Sequence, residues 1–92
     1  MDVKLNLDQC ESQAFDGDEK VGYCQYQVKE DKLWDIQHTV VNKAYGGKGL
    51  AGKLLDAVVD YAKENEIKLI PTCSYAKKKF DENPDKYGDV AY

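Results

Sequence analysis

Tyr45-Gly46-Gly47-Lys48-Gly49-Leu50-Ala51 joins a run of strand-forming residues to a run with helical periodicity. Three of four consecutive positions are glycine. Glycine lets the backbone turn tightly and lets a ligand approach without meeting a Cβ. The first N–H groups of the helix that follows have no partners within it and carry the positive end of its dipole. Together these features make a phosphate cradle. The same composition also suits a plain connector, so the flanking sequence must choose.

Downstream, Leu50, Ala51, Leu54, Leu55, Val58, Tyr61 and Ala62 recur at helical spacing, with Lys53, Asp56, Asp60, Lys63 and Glu64 on the other side. Asp56–Asp60 and Asp60–Glu64 are like-charge pairs one turn apart, the second partly offset by Lys63. The apolar face must therefore hold this helix. Upstream, Leu33 to Val41 reads as a strand with Trp34, Ile36, His38 and Val40 on one face. Asp35, Gln37 and Thr39 fall on the other. Val21 to Lys29 is a preceding strand whose Gly22, Cys24, Tyr26 and Val28 share a face, and Glu30-Asp31 is the turn between the two. Val3, Leu5 and Leu7 alternate with Lys4, Asn6 and Asp8 in a first strand, which Gln13 to Phe15 is expected to continue after a bend. Asp16-Gly17-Asp18 is turn chemistry.

Ile67 to Thr72 is a short apolar strand ended by Pro71. One helix fills the gap of roughly 20 residues before it, which is the βαβ crossover of two parallel strands. The connection should be right-handed. A second helix is expected from Ser74 to about Asp81, stopped by Pro84. The expected class is α+β in the order β-β-β-α-β-α, a mostly antiparallel sheet with one parallel crossover.

Composition narrows the function. Residues 1–92 are read as a single domain, because a chain of 92 residues has no room for a second core. The net charge of −4 argues against nucleic acid, whose binders carry a basic face. Lys77, Lys78 and Lys79 form the only basic run and read as a solvated face. No stretch approaches the roughly 20 apolar residues of a membrane span. Met1 to Asp8 lacks the apolar segment of a signal peptide. Cys10, Cys24 and Cys73 are odd in number and contain no CxxC pair, so no zinc or thioredoxin signature is present and no metal is expected. Three reduced thiols and a cytoplasmic location are the expectation.

Two nucleotide motifs can be set against the glycine loop. Gly47 and Gly52-Lys53 match most of a P-loop, but Leu54 stands where the Mg²⁺-binding Ser or Thr belongs. Gly47, Gly49 and Gly52 match GxGxxG, but that motif should follow the first strand of a parallel unit. A third pattern fits better. Gly46-Gly47-Lys48-Gly49-Leu50-Ala51 resembles the acetyl-CoA pyrophosphate motif R/Q-x-x-G-x-G/A of the GNAT N-acetyltransferase superfamily. Gly49 takes the essential glycine and Ala51 the final small residue, while Gly46 replaces the Arg or Gln. The resemblance runs from about Phe15 to Val90 and includes Gln37 to Val41 and Pro71 to Ala76. It is similar to the short, single-domain members of about this length.

This resemblance implies an acetyl-CoA-dependent N-acetyltransferase acting on an unidentified amine, small-molecule or protein. The alternative is a coenzyme A or acyl-CoA binding module with little or no transferase activity. The implied cofactor set is Val40, Val41, Gly46, Gly47, Lys48, Gly49, Leu50, Ala51, Cys73 and Ala76, with coenzyme A lying between the strand before the loop and the strand after the helix. Many members carry Asn-x-x-Ala-x-x-x-Tyr at the far wall, and here those positions read Cys73, Ala76 and Phe80. Phe80 has no proton to give, so Tyr75 is the nearest substitute acid. His38, the single histidine, is the candidate base on the face of Trp34 and Ile36. Cys73 is a candidate acyl acceptor, its thiol acidified by the helix expected at Ser74. A monomer or weak homodimer is expected.

Overall fold

The computed structural model describes residues 1–47 and 49–92. Its elements are β1 (Asp2–Asn6), β2 (Glu11–Asp16), β3 (Glu19–Glu30), β4 (Leu33–Val41), α1 (Leu50–Glu64), β5 (Lys68–Pro71), α2 (Ser74–Glu82) and α3 (Pro84–Tyr87). The five strands form one sheet in chain order. Successive pairs are antiparallel through β3–β4, and β4–β5 is parallel. The α+β class and the single parallel crossover through α1 are those expected from the sequence.

The sheet has one strand more than the expected order. Glu11–Asp16 does not extend the first strand after a bend. It turns back and pairs antiparallel with β1, Asp2 opposite Phe15 and Asn6 opposite Glu11. The reversal occupies residues 7–10, where Cys10 takes a φ of 56° and donates its N–H to the Leu7 carbonyl. The C-terminal end also differs. Pro84 does stop α2, but it opens α3, because proline's fixed φ and missing N–H suit a first helical turn.

The core lies between the sheet and the helices. Cys24, Tyr26, Trp34, Ile36 and Leu69 from the strands meet Leu50, Leu54, Leu55, Val58, Val59 and Ala62 from α1. Ala76, Phe80 and Tyr87 bring α2 and α3 onto the same side. Tyr26, Trp34 and Tyr61 stack in series, at centroid separations of 3.9 and 5.5 Å. The buried Ser12 hydroxyl donates to the Leu54 carbonyl at 2.7 Å and fixes α1 over β2. The like charges on α1 find an external answer, since Asp56 accepts from Tyr87 Oη at 3.0 Å and from Lys86 Nζ at 3.2 Å. Among the described residues, no helix is long and apolar enough to cross a membrane.

Cys24 is fully buried, and burial pushes its thiol up from 9.0 to about 11. Between those values the unfolded chain loses a proton that the native protein keeps. Stability should therefore fall as pH rises from about 9 to 11, by roughly 2–3 kcal/mol. Urea denaturation at stepped pH measures this, and Cys24→Ala should flatten the alkaline slope.

Candidate active site

The register of β4 with β5 runs from Leu33↔Lys68 to Ile36↔Pro71 and stops there. The chain then leaves the sheet, with the Cys73 N–H donating to the Ile36 carbonyl at 2.8 Å, and enters α2. The rest of β4, through Val41, continues without a β5 partner. A wedge opens between β4 and the start of α2. Val40 is exposed at its rim and Val41 packs against the core.

The glycine loop stands at the wide end of this wedge. The Asn42 carboxamide oxygen accepts the Ala44 N–H at 2.9 Å and starts one 3-10 turn, Lys43–Tyr45. The Tyr45 phenol donates to Asp16 at 2.6 Å, tying the loop to the β2–β3 turn. That hydrogen bond to the carboxylate, with burial and the Asp16 charge, raises the phenol to about 12. Gly47 and Gly49 have φ of 77° and 72°, a region side chains avoid. A Cβ at either would meet nothing within 4 Å. Backbone conformation, not crowding, requires glycine there, and the space beside both is open. Gly49 caps α1 with no side-chain hydrogen bond, and the first turn contains no acid. The helix start is thus open to an anion. Lys48, also expected at this site, lies outside the described residues.

Ala51 is half-buried in the first turn, and Leu50 and Ala76 are buried in the core. Leu50 and Ala76 can therefore contribute backbone or shape to the wedge, not an exposed side chain. Phe80 is likewise core, stacked on Tyr87 at 4.8 Å. Tyr75 lies between α2 and α1, its hydroxyl 3.5 Å from where a Gly52 Cβ would sit. Burial, aided by the charges of Asp56, Cys24 and Cys73, raises its phenol, which stays protonated at neutral pH.

Cys73 caps α2 and is half-buried. Its thiol lies 3.6 Å from the Thr39 hydroxyl, which lies 3.5 Å from the Cys24 sulfur. Burial works to raise the Cys73 thiol. Hydrogen bonding from the Ala76 backbone, the Thr39 hydroxyl and the Tyr75 and Thr39 backbone outweighs it, and the net shift is downward. The sequence reading gave Cys24 no role. Its place at the end of this chain of contacts arises from β3–β4 pairing, which no local signal announces.

His38 is on the face opposite to the one expected. The β3–β4 register passes from Gln25↔His38 to Tyr26↔Ile36, so Gln37 is the extra residue of a β-bulge. The bulge resets the alternation. Trp34 and Ile36 face the core before it, Thr39 does so after it, and His38 and Val40 are exposed on the other side. That other side is the open face of the sheet, with no helix over it among the described residues. Near the loop it holds a shallow cavity of about 340 Å³ lined by Lys20, Val21, Gly22, Tyr23, Val40 and Asn42. The wedge thus separates two approaches, the helix start on one side and the open face with His38 on the other.

Fold and loop together define an α+β protein with a backbone anion cradle beside an interrupted parallel strand pair. Residues 11–90 match the model of the GCN5-related N-acetyl-transferase family, and the chain belongs to that family. It is similar to Protein NATD1 of Homo sapiens and of Gallus gallus, 39% identical over 59 residues in each case. Those alignments cover 64% of this chain and 52% and 54% of the human and chicken proteins. The chain thus spans about half the length of the curated relatives it matches. Among solved structures, a GCN5-like protein from Staphylococcus aureus has a TM-score of 0.76 at 32% identity, over 99% of this chain and 87% of that one. A GNAT family acetyltransferase from Elizabethkingia anophelis with acetyl-CoA bound has the same fold, with a TM-score of 0.60 at 20% identity, over 85% of this chain and 57% of that one.

Proposed function

We propose that this chain, as one catalytic domain spanning residues 1–92, binds acetyl-CoA and transfers its acetyl group to a primary amine. The observation that carries the reading is the wedge: β4 parts from β5 after Ile36, beside a helix start that has no side-chain cap and no acid in its first turn. Gly46, Gly47, Gly49, Leu50 and Ala51 would hold the pyrophosphate through backbone N–H groups, with Lys48 beside them. Val40 and Val41 would pair their backbone with the pantetheine arm, and Cys73 and Ala76 would form the opposite wall. The bound thioester supplies an activated acetyl group and a thiol leaving group.

The remaining chemistry falls to this chain's side chains. His38, exposed on the open face, takes the proton that the attacking amine must lose. Tyr75 returns a proton on the helix side, in the role that Phe80 cannot fill. Cys73, with its thiol shifted downward, is the nucleophile placed to accept an acyl group if the amine is slow. The bulge at Gln37 turns the imidazole away from the packed core and onto the open face, where an amine can reach it. A cytoplasmic location, where free thiols stay reduced, would suit this reading. A monomer, or a weak homodimer through the free edge of β1, completes the reading.

A coenzyme A binding module without turnover is the second reading, and Phe80 favours it. Release of free coenzyme A from acetyl-CoA, followed colorimetrically with a pool of primary amines, separates the two. His38→Ala should lower turnover by about 10²-fold or more while acetyl-CoA affinity is kept. Binding without turnover for any amine would select the module.

A further inference from the structure

Cys24 is a fully buried nucleophilic group that the proposed reaction leaves unused. It does not stand alone. The Thr39 hydroxyl lies 3.5 Å from its sulfur and 3.6 Å from the Cys73 sulfur. The three residues come from β3, from β4 and from the position just before α2. The β3–β4 register sets Cys24 directly across from Thr39. Thr39 is half-buried and lies beyond Ile36, the last residue of β4 that pairs with β5. Its hydroxyl therefore lies in the wedge, between the two thiols.

A threonine hydroxyl has one hydrogen to give and two lone pairs that receive. A thiol gives or receives, and a thiolate only receives. Two arrangements therefore satisfy all three groups. With Cys73 protonated, its S–H donates to Thr39, and the Thr39 O–H donates to Cys24. With Cys73 ionised, the Thr39 O–H must turn to that sulfur, and the Cys24 S–H donates to the Thr39 oxygen from behind. Cys24 keeps its proton in both arrangements, since burial holds its thiol at about 11. No proton crosses to Cys24. The hydrogen bonds reverse, and the proton that Cys73 loses leaves by the open side of this half-buried residue.

The geometry points to Thr39 as the positioning residue of the Cys73 thiolate, with Cys24 as the donor that frees the threonine hydroxyl to face it. Serine would serve in its place. Valine, of the same shape but without the oxygen, would not. Cys24 from β3 and Tyr75 from α2 are the titratable groups that face Cys73. Asp56 on α1 and Lys86 on α3 bear on the Tyr75 phenol. His38 on β4 lies on the opposite face, and Lys68 of β5 donates to the Asp89 carbonyl. The consequence for acyl transfer rests on the proposed function, but the ionisation of Cys73 can be measured without coenzyme A.

The test follows the ¹³Cβ shifts of Cys73 and Cys24 in the whole chain by NMR, from about pH 5 to 10. In the wild type Cys73 should ionise first, with Cys24 still a thiol. Thr39→Val should raise the Cys73 midpoint by about one pH unit or more. It should also slow alkylation of Cys73 by iodoacetamide at neutral pH about threefold, read on the Cys73 peptide by mass spectrometry. Valine suits a strand, so the fold should hold. Thr39→Ser should restore the wild-type midpoint. Cys24→Ala should raise the midpoint in the same direction by less. The start of α2 is unaltered in all three variants, so its field cannot produce the differences. An unmoved midpoint in Thr39→Val, or an equal rise in Thr39→Ser, would overturn the role of the hydroxyl. An unmoved midpoint in Cys24→Ala, or ionisation of Cys24 before Cys73, would overturn the three-group chain. The expected titrations with no acetyl group found on Cys73 after incubation with acetyl-CoA would count against the acyl-acceptor step and leave the Thr39 assignment standing.

Discussion

Gly49→Asp should weaken acetyl-CoA binding by about 30-fold or more relative to Gly49→Asn. The comparison isolates charge. Gly49 has a φ of 72°, so any side chain there carries strain, and Asn and Asp are the two that tolerate the left-handed region best. Their sizes match, and a Cβ at this position meets nothing within 4 Å. What differs is one negative charge at the open start of α1, where the ligand's pyrophosphate would lie. Two like charges about 4 Å apart at a protein surface repel by about 4 kcal/mol at most, and solvent trims that figure. Calorimetric titration of both variants reads the difference. Equal affinities would remove the phosphate from this loop.

Trp34→Ala should cost about 3–5 kcal/mol of folding stability, most of what a domain this small possesses. Trp34 is 6% exposed and lies between Tyr26 and Tyr61 in the stack that joins β3, β4 and α1. Its removal opens a cavity and breaks two aromatic contacts at once. Val28, its partner across the sheet, is 49% exposed, and Val28→Thr should cost well under about 1 kcal/mol. Denaturant unfolding followed by circular dichroism measures both, since the first variant removes the only tryptophan. A small loss for Trp34→Ala would mean that the core is centred elsewhere.

The parts legible in the sequence are those with strong local signals. The apolar repeat from Leu50 to Ala62 and the glycines before it placed α1 and the loop, and the helix-filled gap made β5 parallel to β4. Glu11–Asp16 was illegible as a separate strand because its buried positions include Glu11, Ser12 and Gln13. Their burial comes from pairing and from contacts such as Ser12 with Leu54, not from hydrophobic alternation. The bulge at Gln37 carries no glycine to announce it, so strict alternation put His38 on the wrong face. Asp35 was read only as a position on the face opposite Trp34 and Ile36, and its burial comes from the assembled sheet. Cys24, Thr39 and Cys73 come from three separate segments, and spacing along the chain cannot bring them together.

The wedge beside the glycine loop was built from backbone, so the most direct test of it is binding. Acetyl-CoA titrated calorimetrically into the wild-type protein should give a saturable, one-to-one isotherm that Gly49→Asp loses and His38→Ala keeps. A flat trace with a folded wild-type protein would contradict the account: the family membership would then describe the fold, and the loop would be a connector.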